Sequence, residues 1–537
     1  MQAAAEVDFV VVGAGSAGSA LAARLSENGR HSVALLEAGP SDRSFWIHLP
    51  IGYGKTMWDP RVNWRFYTEP DPHMDNRRLY WPRGRVLGGS SSINGLIAIR
   101  GQAEDYDGWR ALGNPGWGFS DVLPYFIKLE SNHGLESDNQ LHGTSGPLHV
   151  SSITGRHELI EAVIGAAGKL GIPYTEDFNG GRQEGVGYYQ LTTHRGWRVS
   201  AAKAYLKPAK RRPNLAILTN AQATRILFAG RRAGGVEFRQ DGLTRTIKAR
   251  RGVALCAGAV QSPQLLMLSG IGPAQHLRGH GIGVLAERPG VGGNLQDHLQ
   301  LRLIYRANRP ITTNDALRSL AGRVRMALQW LLLSQGPLAI GINQGGLFTR
   351  VLEESRTPDI QFHIATLSAD MAGGKVHDFP GFTLSVCQLR PESRGAIALA
   401  SGDPLAAPLI QANYLSAETD RRCAVAALAF ARRLARTEPL AGYVAREEAP
   451  GPAALTDADL LGFARSHGAT IFHPAGTCKM GPDGDPDAVV DPRLKVRGVE
   501  RLWVADCSIM PQLVSGNTNL PAIMIGEKAA DLIREDA

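Results

Sequence analysis

The stretch VDFVVVGAGSAGSALAARLSENGRHSVALLEAG, residues 7–39, decides the fold. A continuous apolar run gives way to helical spacing and then to a second apolar run, the strand–turn–helix–strand opening of a parallel, doubly wound α/β sheet. Gly13, Gly15 and Gly18 form GxGxxG between the first strand and the helix, and Glu37 closes the second strand. In that setting the glycines admit a pyrophosphate close to the backbone. The helix N-terminus offers it free N–H groups and a positive dipole, and the carboxylate accepts from ribose hydroxyls. A bound dinucleotide is expected, and the motif alone leaves FAD and NAD both open.

Outward from this unit, FWIHLPIGYGKTMWDPRVNWRFYTEPDP (45–72) has no clear periodicity and reads as extended connections packed over a domain surface. Segments between Leu215 and Ala259 look like strands of a small sheet returning to the core fold. From about Gln300 to Asp457, strand patterns (PDIQFHIATL, FTLSVCQLR, GAIALAS) alternate with the helical AETDRRCAVAALAFARRLART, which predicts a second domain built on an antiparallel sheet. VERLWVADCSIM and NLPAIMIGEKAADLIRE then supply a last strand and helix to the first domain. The expected division gives 1–155, 211–300 and 465–537 to the dinucleotide domain, and 156–210 and 301–464 to the substrate domain. There are no internal repeats.

The 537 residues carry 58 Lys and Arg against 50 Asp and Glu, a net charge of +8. The basic clusters KPAKRRP (207–213) and TRTIKARRG (244–252) sit beside turn signals without interleaved aromatics, so they read as solvated edges and no nucleic-acid partner is expected. Five widely spaced cysteines with no CxxC pair argue against a disulfide scaffold or a zinc site. No basic segment followed by a long apolar run opens the chain, so no signal peptide is expected, and free thiols fit a reducing cytoplasm. The uncharged run from Met326 to Thr349 is broken by Gly336-Pro337 and polar residues, which predicts a helix ending near Gln335 followed by a strand. Arg318, Arg323 and Arg325 precede its apolar MALQWLLL, a pattern open to two readings: peripheral contact at the inner face of a membrane, or a core helix with a solvated end.

Further motifs choose the cofactor. RGRVLGGSSSINGLIAIRG (83–101) is a second glycine and serine loop, too far from the first to serve the same phosphates but suited to the other end of a long cofactor. With GAVQSPQLLMLSGIG (258–272), VGGNLQDH (291–298), HPAGTCKMG (473–481) and SGNTNLPA (515–522), the chain resembles the glucose-methanol-choline family of FAD oxidoreductases along essentially its whole length, nearest to the choline dehydrogenase-like and aliphatic alcohol dehydrogenase branch. The resemblance implies FAD in a Rossmann-like domain and an alcohol substrate.

It also gives the IFHPAGTCKM loop (471–480) a role. Taken alone, its histidine could ligate a metal, serve a thiol nucleophile or act as a base; the resemblance implies that His473 takes the hydroxyl proton of an alcohol while the carbon-bound hydrogen leaves as hydride to flavin N5. Asn517 matches the second catalytic position of the family. Hydride leaves readily from an alkoxide, so a base plus a donor aimed at the oxyanion lowers the barrier. The bland alternative for both residues is a buried turn. Cys478 reads as core packing, and no second ligand stands at metal spacing from His473. Cofactor contacts implied by the resemblance fall at Ser16, Ala38, Arg85, Gly88, Gly89, Asn94, Gly95, Ala223, Asp506, Asn519 and Leu520, each with turn formation as its alternative.

Departures from the family pattern sharpen the expectation. Ile93 occupies the position where some members link FAD covalently through histidine, so the FAD is expected to be non-covalent. Asn343 stands where choline-using members commonly place a glutamate, which disfavours choline. A photodecarboxylase branch lacks the base histidine and has Cys before Arg-Pro; here His473 is present and Leu389 precedes Arg390-Pro391. The expected activity is oxidation of a primary alcohol to the aldehyde, with electrons passed to a quinone-like acceptor. The rivals are an oxidase making hydrogen peroxide, an FAD-retaining lyase or photoenzyme, a flavin-binding structural protein, and a NAD-dependent dehydrogenase that would leave the later motifs unexplained.

Overall fold

The computed structural model describes residues 6–135, 140–371 and 373–536. The first five residues, where a leader would begin, lie outside the described residues. The opening unit forms as the apolar pattern predicts: strand Glu6–Val12, helix Ser16–Leu25, strand Val33–Leu36. Phe9–Val12 pairs in parallel with Val33–Leu36, whose four residues are all buried, as a strand covered on both faces must be.

The segments from Leu215 to Ala259 do not make a sheet of their own. Leu215–Leu218 extends the parallel sheet beyond Val33–Leu36, and Leu243–Leu255 pairs in parallel with the first strand. That strand is 13 residues long. Its buried C-terminal half enters the parallel core, while its exposed N-terminal half carries an antiparallel ribbon with Arg232–Gln240 and Gln222–Ala229. Leu502–Val504 completes the sheet against Val253–Leu255, and Asn519–Asp536 is the final helix. This helix is tied to the first one by a buried carboxylate: Glu527 accepts from Arg24 Nε at 2.8 Å, Arg24 Nη2 at 3.0 Å and the Tyr205 hydroxyl at 2.8 Å. Removing one partner of such a pair costs about 3–5 kcal/mol.

A second seven-stranded sheet runs Val444–Ala449, Leu299–Ala307, Gly381–Gln388, Ile360–Ala365, Asn343–Thr349, Gly185–Tyr188, with Ala469–Thr470 also on Leu299–Ala307; its described pairs are antiparallel. Helix Glu418–Ala435 covers one face, where Phe362 meets Phe430 at 5.8 Å between rings. Since alternate residues of a strand point to opposite faces, the neighbours of Phe362 are available to the other side, which is the side of the site.

Two local expectations are corrected. Ala396–Ala398 lies outside this sheet, in a two-stranded ladder with Leu409–Gln411. The first part of the 45–72 segment is not extended: it coils through helical turns at Phe45–His48, Pro50–Gly52 and Tyr53–Thr56, where Ile47 and Tyr53 are buried at irregular intervals, while Phe66–Tyr67 is extended and pairs with Tyr80–Trp81. The helix expected to end near Gln335 spans Leu320–Leu333 with its cap at Ser334, which adopts φ 55°, and the expected strand follows at Asn343–Thr349. Among the described residues, no helix is long and apolar enough to cross a membrane.

Candidate active site

Two spaces run into one another. One, of about 140 Å³, is lined by Gly13, Gly15, Ser16, Glu37, Ala38, Gly89, Ala223 and Asp506. The other, of about 430 Å³, is lined by Asn94, Gly95, Asn519, His473 and Asn517. Ser16, Arg83, Ser90, Cys507 and Ala522 border both.

Backbone shapes the narrow part. Gly13 has φ +97°, and a Cβ there would lie 2.5 Å from the Cys256 carbonyl oxygen. The second loop closes on it directly: the Gly88 N–H donates to the Ala14 carbonyl at 2.8 Å, and a Cβ on Gly89 would sit 2.6 Å from Gly15 Cα. The expectation that this loop lies far from the first is thus overturned; distance along the chain is cancelled by the loop crossing the start of the first helix.

Side chains fix the two ends. Glu37 accepts from the N–H groups of Ala14 at 3.0 Å and Gly39 at 2.8 Å, and burial raises its pKa to about 7 in spite of them. Asp506 accepts from the Gly258 N–H at 2.9 Å and the Ser262 hydroxyl at 2.6 Å, and Asn519 Oδ1 accepts from the Ser16 hydroxyl at 2.8 Å. Arg198, fully buried, donates to Asn94 Oδ1 at 2.6 Å and the Asn94 carbonyl at 2.7 Å, locking the second loop. Of the expected contacts, Gly18, Arg85, Gly88 and Leu520 line neither space. Gly18 packs the helix on the first turn, the Arg85 guanidinium lies 4.8 Å over Trp64, Gly88 forms a left-handed turn, and the Leu520 side chain is in the core, leaving its backbone at a helix start.

In the wider space His473 and Asn517 come together, with Asn517 Nδ2 at 3.2 Å from His473 Nε2. The tautomer follows from the other nitrogens. His298 Nε2 lies 3.0 Å from the Leu389 carbonyl, which can only accept, so Nε2 carries the proton of a neutral His298. Its Nδ1 is then an acceptor, and the His473 Nδ1, 3.0 Å away, donates to it. His473 Nε2 is left with a lone pair facing Asn517. Burial, with His298, His363 and Arg83 adding to it, holds the His473 pKa well below the usual imidazole range, so the ring is neutral. The backbone N–H of His473 donates to Asp297 Oδ1 at 2.7 Å, and Asp297 also accepts from the Thr470 hydroxyl at 2.5 Å and from Tyr414. Asn517 is oriented in turn by Gln361, whose Nε2 donates to Asn517 Oδ1 at 3.1 Å and to the Tyr189 hydroxyl at 2.9 Å.

Asp297, His298, Gln361, Arg83 and Arg198 were not expected as site residues. Asp297 and His298 had a signal in VGGNLQDH and Arg83 in the second glycine and serine loop; Gln361 arrives through the antiparallel sheet and Arg198 through the short ladder Trp197–Arg198 with Thr193–His194. Cys478 is fully buried and its thiol pKa is pushed well up, which makes it inert packing. Among the described residues, no group of three or more His, Cys, Asp or Glu could hold a metal.

A glycine-walled cradle leading to a neutral histidine and an oriented amide has the form of a dinucleotide-dependent oxidoreductase site. Two GMC oxidoreductase family models match, over residues 7–300 and 391–526, and the chain belongs to this family. Its cofactor is accordingly FAD, and the residues present fit it: two glycine loops in contact leave room for a phosphate backbone but no Cβ, with a carboxylate at one end and the wide space at the other.

Relatives agree along the whole length. The chain is 43% identical to an oxygen-dependent choline dehydrogenase of Brucella suis over 532 residues, covering 98% of this chain and 95% of that one. It is 44% identical to the mitochondrial choline dehydrogenase of Mus musculus (98% and 89% covered) and 42% identical to an alcohol dehydrogenase [acceptor] of Pseudomonas putida (98% and 95%). Among solved structures, pyridoxine 4-oxidase from Mesorbium loti matches with a TM-score of 0.88 at 31% identity, covering 98% of each chain, and a formate oxidase with 0.92 at 26%, covering 99% and 98%.

Proposed function

We propose that the chain oxidises a primary, non-cationic alcohol to the aldehyde. The observation that supports this best is the His473 Nε2 lone pair, freed by the bond to His298 and set beside Asn517 Nδ2. FAD, when bound, supplies the two-electron acceptor. His473 takes the hydroxyl proton at Nε2, and Asn517 donates to the resulting oxyanion. Asp297 anchors the His473 backbone, His298 orients its ring, and Gln361 holds the Asn517 side chain. The wall at this position offers Ile93 and no nucleophile, which supports FAD held without a covalent link. Asn343 lines the space and, among the described residues, no Asp or Glu does, so a quaternary ammonium finds no ionic partner among them. The division into two domains, each built on one of the sheets, with boundaries at 155, 210, 300 and 464, is part of the same proposal.

As electron acceptor we propose a quinone-like molecule, a choice supported by similarity to an alcohol dehydrogenase [acceptor]. Contact with an anionic lipid surface is the corresponding reading of helix Leu320–Leu333, which exposes Leu320, Leu331, Leu332 and Leu333 beside Arg323 and Arg325. Anaerobic mixing with primary alcohols, followed by reoxidation with air-saturated buffer or a soluble quinone, tests the proposal. Bleaching of the flavin by alcohol and faster reoxidation by quinone support it. No bleaching by any alcohol refutes the activity, and reoxidation by oxygen at the turnover rate with stoichiometric peroxide makes the protein an oxidase.

A further inference from the structure

The sheet under the wide space carries polar groups that the oxidation does not use. Arg302 pairs with Ser385 across one strand boundary, and Ser385 with His363 across the next, so the three stand in one row. All three line the space, together with Gln300 and Lys55, and among the described residues no carboxylate lines it. The row is one pleat repeat, about 7 Å, from the row holding Gln361, the residue that orients Asn517.

These groups are under-satisfied. Arg302 gives its Nε to Gln300 Oε1 at 3.0 Å, and its two terminal nitrogens have no hydrogen-bond or ion-pair partner among the described residues. His363 is 1% exposed and neither ring nitrogen makes a hydrogen bond. Burial lowers its pKa to about 3, with His298 and Arg302 adding to it and the Asn517 side chain opposing it, so the ring is neutral and offers one N–H. Burial also lowers the Arg302 pKa, with Tyr53 opposing it, and no carboxylate among the described residues pairs with its charge. An unpaired guanidinium beside an orphaned imidazole N–H and a hydroxyl, a short reach from the base, is a recognition site waiting for an acceptor with two oxygens.

We infer that Arg302, His363 and Ser385 form an anion subsite, and that the preferred substrate is a primary alcohol carrying a carboxylate a few carbons from the hydroxyl. The inference rests on the alcohol-oxidising reading of the same space but concerns binding, which can be measured without turnover. The carboxylate occupies the terminal nitrogens of Arg302, and the carbinol end extends toward His473 and Asn517. Choline is then disfavoured twice, by the missing carboxylate of the wall and by the cation of the floor.

The test uses FAD-loaded enzyme in two arms. In the first, butanoate, which has no hydroxyl to oxidise, is titrated while the flavin absorbance is followed. A saturable spectral change is expected in the wild type, weakened at least tenfold in Arg302→Met and largely restored in Arg302→Lys; FAD content and melting temperature identify a variant that has simply misfolded. Equal responses of wild type and Arg302→Met, or none in either, overturn the subsite. In the second arm, kcat/KM for 4-hydroxybutanoate is expected to exceed that for 1-pentanol by tenfold or more, and this ratio is expected to collapse in Arg302→Met. A ratio that is the same in both proteins also overturns it. If butanoate binds through Arg302 while no alcohol bleaches the flavin, the subsite stands and the alcohol-oxidising reading falls.

Discussion

His298 and His473 face one another through their Nδ1 atoms, 3.0 Å apart, and a single proton lies between them. Because the Leu389 carbonyl claims the Nε2 proton of His298, that shared proton belongs to His473. Replacing His298 with Phe removes the acceptor and lets His473 take the other tautomer. Alcohol-driven flavin reduction should then slow by roughly tenfold or more with FAD still bound, while His473→Ala should slow it by roughly a hundredfold or more. Asn517→Ala should lie between wild type and His473→Ala. Stopped-flow reduction measures all three, and a near wild-type rate in His473→Ala removes the base from the mechanism.

The pH profile carries a second prediction. A histidine whose pKa is lowered by burial, His298, His363 and Arg83 stays neutral, and so stays a base, below the pH at which a free imidazole protonates. The acid limb of kcat/KM for a neutral alcohol should therefore lie below pH ~6.5, the ordinary imidazole value. A limb at or above neutrality would show that the ring is charged in the working enzyme.

How much of this was legible in the chain depends on where the information sits. Gly13, Gly15, Gly18 and Glu37 belong to one local unit, so periodicity and spacing suffice to place them. His473 and Asn517 stand in compact motifs. Gln361, His363 and Arg302 do not: each is one alternate residue of an apolar-looking strand, and only the register of three strands puts them on the same face. Arg198 gave no signal because its partners, Asn94 and the Ile47 carbonyl, are distant in sequence. The 45–72 coil failed to show any period because it winds around Tyr53 and Met57, which line the wide space, and not around an axis of its own.

Flavin attachment is checked by denaturation. Ile93 lines the wide space with an apolar side chain, so acid or heat should release all the FAD into the supernatant. Yellow colour retained by the precipitate would locate a covalent bond elsewhere.

Asn343 begins the strand Asn343–Thr349 and lines the same space. The wild type should favour neutral primary alcohols over choline in kcat/KM, and Asn343→Glu should narrow that gap by lending the wall a negative charge. A wild type that prefers choline to neutral alcohols of its size would contradict the assignment.

Gly89 provides the structural counterpart. It adopts φ +52° and its missing Cβ would press on Gly15 Cα at 2.6 Å. Gly89→Ala should weaken FAD retention during gel filtration by at least tenfold while the far-ultraviolet circular dichroism stays native. Full retention would mean that the two loops can part without consequence.

The narrow space draws Gly13 from one end of the chain and Asp506 and Ala522 from the other, and the helix that follows Asn519 is clamped to the first helix through Arg24 and Glu527. Cofactor retention therefore reports on long-range assembly: neither the glycine loop nor the Asp506 segment walls the space without the other.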